Sequence, residues 1–247
     1  MKINILTLFP DFFSSLKNWS IIGRAIENNI AEINCINIRD FSKNKHRKVD
    51  DYPYGGGSGM VMNPGPIVDA INSVKTSDSK VIYLSPQGKT FSQKLANELS
   101  REKHLILLCG HYEGIDNRVI EHYIDEEISV GDYVLTGGEI PAMIIIDAVI
   151  RLLPGVLRSE NSFIEESHYN GLLEYPQYTR PREFKGHSVP DILLSGNHKK
   201  IAIWRKEEAL KATLLKRPDL IEKRNFTKDE IEILYKLNNM LDNKNKL

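Results

Sequence analysis

The chain has 247 residues, 41% of them apolar and 27% charged, which is enough for one large domain or two small ones with a buried core. This composition excludes a disordered, collagen-like or coiled-coil protein. Basic and acidic residues balance at 33 each, but ten Lys or Arg against four Asp or Glu lie between positions 196 and 228. That local excess is compatible with a polyanionic partner, although a solvated helix face would have the same composition.

The beginning of the chain, MKINILT, predicts a strand and not a signal peptide, because no small-residue cleavage site follows it. The apolar stretch at 140–150 contains Asp147 and is too short to span a bilayer. Cys35 and Cys109 lack the spacing of a metal site, and they favour a reducing compartment over a disulfide scaffold. We therefore expect a cytoplasmic protein with no membrane partner.

The middle of the chain alternates strand and helix signals. KVIYL (80–84), the continuous apolar run HLILLC (104–109) and EEISV (126–130) predict buried strands. A capping box at Thr90 and Gln93 predicts a helix that follows the first of them. This succession is typical of an α/β fold with a parallel sheet.

The remaining helix signals lie later in the chain. Pro141 predicts the first turn of a helix that ends near Leu153. Residues 158–170 are polar and unpatterned, so we expect a flexible linker between a domain at 1–157 and a second domain at 171–247. The second domain is predicted to be small and mostly helical. One signal there is a capping box of Thr227 and Glu230 before an apolar stripe, which has the residues Ile231, Leu234, Leu237 and Leu241.

Three loops follow the carboxyl ends of the predicted strands, namely SPQG (85–88), GHYEGID (110–116) and VGDYVLTGGE (130–139). Ligands of open α/β sheets bind at this edge, and glycines let a ligand approach the backbone. Each loop alone could simply form a turn, but together they predict one binding site. Neither SPQGKT nor GGGSGM (55–60) matches a phosphate-binding motif, and the scattered histidines predict no metal held by the protein.

Several sequence strings resemble the bacterial tRNA (guanine-N1)-methyltransferases, the TrmD family. They extend over nearly the whole chain, and CG-YEGID and GDYVLTGGE-PAM are the most specific. The matching strings are SIIGRAIENN (20–29), HRKVDDYPYGGGSGM (46–60), YLSPQGKTF (83–91), CGHYEGIDNRV (109–119), VGDYVLTGGEIPAM (130–143), RLLPGVL (151–157), GLLEYPQYTRP (171–181) and LLSGNHKKIAIWR (193–205).

The resemblance implies a SPOUT-type catalytic domain with a deep trefoil knot, and a homodimer in which both chains build each active site. It implies methyl transfer from S-adenosylmethionine to N1 of the guanosine immediately 3′ of the tRNA anticodon, where another guanosine precedes it. Mg²⁺ is expected to assist. Two alternatives remain open: a SPOUT methyltransferase that acts on another RNA position, and a non-catalytic RNA-binding protein.

The resemblance also implies roles for single residues. Arg151 and Glu113 match catalytic positions, and Glu166 stands where the family has its proposed base, an aspartate. The cofactor contacts would be Leu84, Ser85, Pro86, Gly88, Gly110, Tyr112, Glu113, Gly114, Val130, Gly131, Tyr133, Leu135, Gly137, Gly138 and Pro141. The tRNA anticodon arm would be held by Lys199, Lys200, Arg205 and Lys206.

Guanine N1 carries a proton and is a poor nucleophile until a base removes it. We expect Glu166 to be that base, with Glu174 as the alternative, and Arg151 to stabilise the charge that develops on O6. The sequence departs from the family twice here. Glu166 is one methylene longer than aspartate, and His111 stands where arginine is usual in CG-YEG.

Overall fold

The computed structural model describes residues 1–157, 163, 166–222 and 224–244, without the side chains of 240–244. The chain divides into two compact units, Met1–Glu160 and Asn161–Leu247. Most of the linker predicted at 158–170 lies outside the described residues; residues 166–170 form turns and bends. No helix in the described part of the chain is long and apolar enough to cross a membrane.

A parallel sheet of five strands forms the centre of the first unit. In chain order, the strands of both units in the described residues are β1 (Lys2–Thr7), β2 (Glu32–Asn37), β3 (Asp50–Asp51), β4 (Val61–Met62), β5 (Ser79–Thr90), β6 (His104–Cys109), β7 (Glu126–Ser129), β8 (Glu183–Phe184) and β9 (His187–Ser188). The five strands of the central sheet have the order β2-β1-β6-β5-β7, and each adjacent pair of strands is parallel. The pairs β3-β4 and β8-β9 are small antiparallel ladders. The predicted α/β class with a parallel sheet is confirmed.

Helices connect the strands of the first unit and make up most of the second. The helices are α1 (Ser14–Asn18), α2 (Ser20–Glu27), α3 (Pro64–Val74), α4 (Gln93–Leu99), α5 (Asn117–Tyr123), α6 (Glu139–Ile150), α7 (Asp191–Leu194), α8 (His198–Lys216), α9 (Pro218–Glu222) and α10 (Lys228–Lys244). Short 3₁₀ turns occupy Pro10–Phe13 and Ile38–Phe41. In the second unit, α8 packs against α7, α9 and α10.

Strand β6 lies in the middle of the sheet, and all six of its residues are buried. This is why HLILLC is a continuous apolar run and does not alternate, since helices cover both faces of a parallel sheet. The prediction of a strand over 104–109 is confirmed. Because β5 lies between β6 and β7, the loops that follow these three strands emerge side by side at one edge.

Strand β5 is longer than the sequence predicts. It was expected to end at Leu84, before a loop over 85–88, but it continues to Thr90. Leu84 and Lys89 both pair with Ile128, so the four residues between them bulge out of the ladder. The segment SPQG is therefore a bulge within a strand, and its position depends on pairing with β7.

Two predicted helix boundaries are also wrong. Thr90 does not cap α4, because it pairs with Ser129 as part of β5. The cap is Ser92, whose hydroxyl accepts a hydrogen bond from the Leu95 N–H. Helix α6 ends at Ile150, a few residues before the predicted end, and turns follow it.

The capping box in the second unit forms as predicted. The Thr227 N–H donates to Glu230 Oε2 (2.9 Å), and the Glu230 N–H donates to the Thr227 hydroxyl (3.4 Å). Burial raises the pKa of Glu230, but the Thr227 N–H, Arg224 and Lys206 outweigh that effect and hold the pKa below its usual value. The Glu230 carboxylate therefore stays ionised inside this helical unit.

Candidate functional site

The loops after β5, β6 and β7 enclose a cavity of about 880 Å³, part of which is open to solvent. It is lined by residues from 83–87, 110–114, 128–131 and 133–138, together with Pro141. The position is the carboxyl edge of the parallel strands, where ligands of open α/β sheets bind.

Close backbone packing shapes this cavity at its glycines. A Cβ at Gly138 would lie 2.6 Å from the Cα of Cys109, and the Gly138 N–H donates to the Gly110 carbonyl (3.0 Å). A Cβ at Gly110 would lie 2.9 Å from the ring and hydroxyl of Tyr83. Larger residues at these positions would push the loops apart or fill the space between them.

The cavity lining is nearly free of charge. Among its residues, all of which the structure describes, Glu113 carries a carboxylate and there is no lysine or arginine. Burial raises the pKa of Tyr83 to about 12, with a further contribution from the charge of Glu127, so its phenol stays neutral. Such a lining accepts a ligand that is neutral or positively charged on the side that it buries.

Glu113 is positioned by a segment that the sequence did not connect with the site. The Glu113 N–H donates to the Met60 carbonyl (3.0 Å), and the Met62 N–H donates to the Gly114 carbonyl (2.9 Å). Gly59 lies against the Glu113 side chain, since a Cβ there would be 2.5 Å from Oε1. The glycine-rich segment 55–60 is thus not a phosphate loop, but its last residues support the 110–114 loop.

The structure brings the predicted cofactor contacts together with one exception. All of them line the cavity except Gly88, which packs against the neighbouring strand β7. A Cβ at Gly88 would lie 2.5 Å from the backbone of Glu127 and Ile128, so this glycine permits the bulge in β5. Sequence reasoning missed these lining residues: Tyr83, Gln87, His111, Ile128, Ser129, Val134 and Thr136. All of these except Ile128 are adjacent in sequence to a predicted contact, which is the available signal.

The other predicted catalytic residues lie outside the cavity lining. Arg151 follows the last residue of α6 and is half-buried. Glu166 belongs to the second unit, where its N–H donates to the Phe163 carbonyl (3.2 Å). The Glu174 N–H donates to the Ser167 hydroxyl (3.1 Å), so the segments that carry the two candidate bases are neighbours.

The four predicted tRNA-binding cations all lie on α8 but differ in their surroundings. Lys199 and Lys200 are exposed in its first turn, after the Asn197 cap. Arg205 stacks on the Tyr175 ring at 4.7 Å, and Lys206 Nζ lies 3.6 Å from the buried Glu230. The first pair is therefore more available to a phosphate than the second.

No group of three or more His, Cys, Asp or Glu side chains in the described part of the chain is arranged to hold a metal ion. The described residues thus show no cluster of three ligands for the expected Mg²⁺, an ion that commonly binds through one or two carboxylates and water.

Comparison with known proteins identifies the family. A family model described as tRNA (Guanine-1)-methyltransferase TrmD matches residues 1–223. The chain belongs to this family. The tRNA (guanine-N(1)-)-methyltransferase of Clostridium beijerinckii is 61% identical over 240 residues, which cover 97% of this chain and all of the relative. Those of Ruminiclostridium cellulolyticum and Dictyoglomus turgidum are 60% and 58% identical and cover 90% and 95% of this chain, and 97% and 95% of their own lengths.

Proposed function

We propose that the protein transfers a methyl group from S-adenosylmethionine to N1 of the guanosine immediately 3′ of the tRNA anticodon, where another guanosine precedes it. Membership of the TrmD family supports this reaction, and the cavity formed by the three loops carries the proposal for this chain. A tRNA substrate and two free cysteines, one of them buried, fit an enzyme of the cytoplasm.

The residues of the cavity fit the methyl donor. When bound, S-adenosylmethionine supplies an electrophilic methyl group on a positively charged sulfur. Lysine and arginine are absent from the lining, so this charge is not repelled, and Glu113 offers a carboxylate that attracts it. The glycines expose backbone groups that can bind the adenine and ribose edges. We also propose for this domain the trefoil knot that the family resemblance implies.

The acceptor must lose its N1 proton before it attacks. We assign this proton to the Glu166 carboxylate, because a carboxylate within hydrogen-bond reach is the group that the chemistry needs. Its removal places negative charge on O6, which the permanently charged Arg151 stabilises. Lys199 and Lys200 hold backbone phosphates, and this contact keeps the guanine in register with the donor.

The position of Arg151 supports an active site shared between two chains. Pro141, in the first turn of α6, lines the cavity, whereas Arg151 follows the end of this 12-residue helix. Pro141 and Arg151 are ten residues apart, so at a rise of about 1.5 Å per residue they lie about 15 Å apart along the helix, which an arginine side chain cannot bridge. Ile140 and Ile144 are exposed on the outer face of the same helix. We assign this apolar face to a homodimer interface that brings Arg151 to the partner's cavity.

The assignment of the base is tested with Glu166→Gln and Glu174→Gln, assayed on a tRNA transcript at saturating S-adenosylmethionine. We expect Glu166→Gln to lower kcat at least about 100-fold, because the amide cannot accept the proton, and to leave cofactor affinity unchanged. Glu174→Gln is the matched control and should retain turnover. Near-native turnover of Glu166→Gln would refute the assignment, and identification of the modified nucleoside tests the reaction itself.

The shared site is tested with two inactive variants that are co-expressed. Leu135→Arg blocks the cavity of one chain, and Arg151→Met removes the guanidinium of the other. If both residues of a site came from one chain, every site of the hybrid would be inactive. We expect activity to return in the hybrid, because one of its two sites combines an intact cavity with an intact Arg151. A hybrid that stays inactive would exclude sharing.

A further inference from the structure

A hydrogen-bonded cluster at the cavity includes one lining residue, His111, and two residues outside the lining, Thr7 and Glu139, and the proposed chemistry does not use it. Glu139, the first residue of α6, is 4% exposed. The Thr7 hydroxyl donates to its Oε1 (2.6 Å), and His111 Nε2 lies 2.7 Å from its Oε2. Because an ionised carboxylate only accepts hydrogen bonds, the imidazole is the donor. Three segments that are far apart in the sequence therefore meet at one carboxylate.

The cluster joins two of the loops that line the cavity. His111 belongs to the 110–114 loop, and Glu139 directly follows the loop at 130–138. Gly137 lies over the pair, since a Cβ there would come within 2.4 Å of His111 Cε1 and 2.7 Å of Glu139 Oε2. The His111 ring also packs edge-on against Phe9, with 4.9 Å between ring centroids. The contact between His111 and Glu139 thus joins the two loops, together with the hydrogen bond from the Gly138 N–H to the Gly110 carbonyl.

We propose that Glu139 and His111 are positioning residues, which hold these two loops in the arrangement that binds the methyl donor. This role rests on the proposed function, in which the cavity binds S-adenosylmethionine. A buried carboxylate without its hydrogen-bond donors is unfavourable. When the His111 N–H is missing, Glu139 turns towards water and the 130–138 loop moves with it. The cavity then loses the spacing between its walls.

The same strand provides a matched control. His104 begins β6, while His111 lies two residues beyond its end, so the two side chains are at opposite edges of the sheet. His104 is also buried, and it bonds to Asn4 Nδ2 (3.0 Å) and the Ser79 hydroxyl (2.7 Å). Replacing either histidine by phenylalanine keeps an aromatic ring and removes the nitrogen atoms. Only the change at position 111 alters a loop of the cavity.

The test combines titration calorimetry with S-adenosylmethionine and steady-state kinetics on a tRNA transcript. We expect His111→Phe and Glu139→Gln to raise the Kd and the KM for S-adenosylmethionine about tenfold, which is the loss of a hydrogen bond to a charged group. In Glu139→Gln, whose side chain lies outside the cavity lining, the kcat at saturating cofactor and the KM for tRNA should not change. His111→Arg should keep the wild-type affinity for S-adenosylmethionine, unlike His111→Phe, because a guanidinium can donate to the same carboxylate.

His104→Phe should lower the melting temperature and leave the affinity for S-adenosylmethionine unchanged. An unchanged KM in both His111→Phe and Glu139→Gln would overturn the positioning role and leave the proposed function intact. An equal rise in KM for His104→Phe would overturn it as well, because the effect would then be one of general stability. A wild-type protein that binds no S-adenosylmethionine would instead refute the proposed function itself, and with it this role.

Discussion

The cavity of the first unit and helix α8 of the second unit are built from opposite kinds of residue. The cavity has glycines, backbone groups and neutral side chains, and its walls approach to within van der Waals contact. Helix α8 carries five lysines and one arginine, and Lys199 and Lys200 in its first turn are exposed. From this difference we expect shape to control cofactor binding in the first unit and charge to control tRNA binding in the second.

The two units also differ in how they use buried charge. Glu139 in the first unit is held by one hydroxyl and one imidazole, and it fixes loops beside the cavity. Glu230 in the second unit faces Arg224 and Lys206, and it fixes the start of α10. The first carboxylate therefore serves the binding site, and the second serves the helical scaffold that carries the cations.

The largest effect is expected from adding one methyl group to the first unit. In Gly138→Ala the new Cβ would lie 2.6 Å from the Cα of Cys109, and the backbone has to move. We expect affinity for S-adenosylmethionine, measured by calorimetry, to fall at least about 100-fold, or ~2.7 kcal/mol. Gly65→Ala is the matched control, because nothing lies within 4 Å of its Cβ. Wild-type affinity in Gly138→Ala would show that shape does not control this site.

A smaller effect is expected from removing charge in the second unit. Lys199→Ala with Lys200→Ala should weaken tRNA binding about tenfold and reduce the slope of log K against log salt by about two. Affinity for S-adenosylmethionine should not change. Lys211→Ala is the control on the same helix, since Lys211 Nζ is already paired with Glu208 at 3.0 Å. An unchanged salt slope in the double variant would remove these lysines from the tRNA interface.

Local sequence signals were sufficient where a structural element depends on its own residues. The apolar run 104–109 predicts β6, and the spacing of Thr227 and Glu230 predicts their capping box, because both involve neighbours along the chain. The strand ends also indicated where the cavity would form, since the carboxyl ends of parallel strands share one edge.

The missed features depend on contacts between distant segments. The bulge at 85–88 exists because β7 pairs with β5 on both sides of it, and no pattern within SPQG indicates that. The contact of Gly59 with Glu113 joins loops that are more than 50 residues apart. The sequence of the segment 55–60 therefore gives no sign of this role, and it shows only that the segment does not match a phosphate-binding motif. The sequence shows His111 only as a departure from the arginine usual in the family, and the packing identifies Glu139 as its partner.

The smallest effect is expected from His104→Phe. It concerns the pH dependence of stability, which should differ between changes at the two edges of the sheet. Burial lowers the pKa of His104, with a further contribution from Lys2, so this imidazole binds a proton less readily in the folded protein than in the unfolded chain. The unfolded chain then binds more protons below about pH 6.5, and stability falls as the pH decreases through that value. In His104→Phe this loss should disappear from the melting temperatures measured between pH 5 and 8, while His111→Phe should retain it. If His104→Phe kept the full pH dependence, another group would be responsible, and the amino edge of the sheet would not be the acid-sensitive part of the first unit.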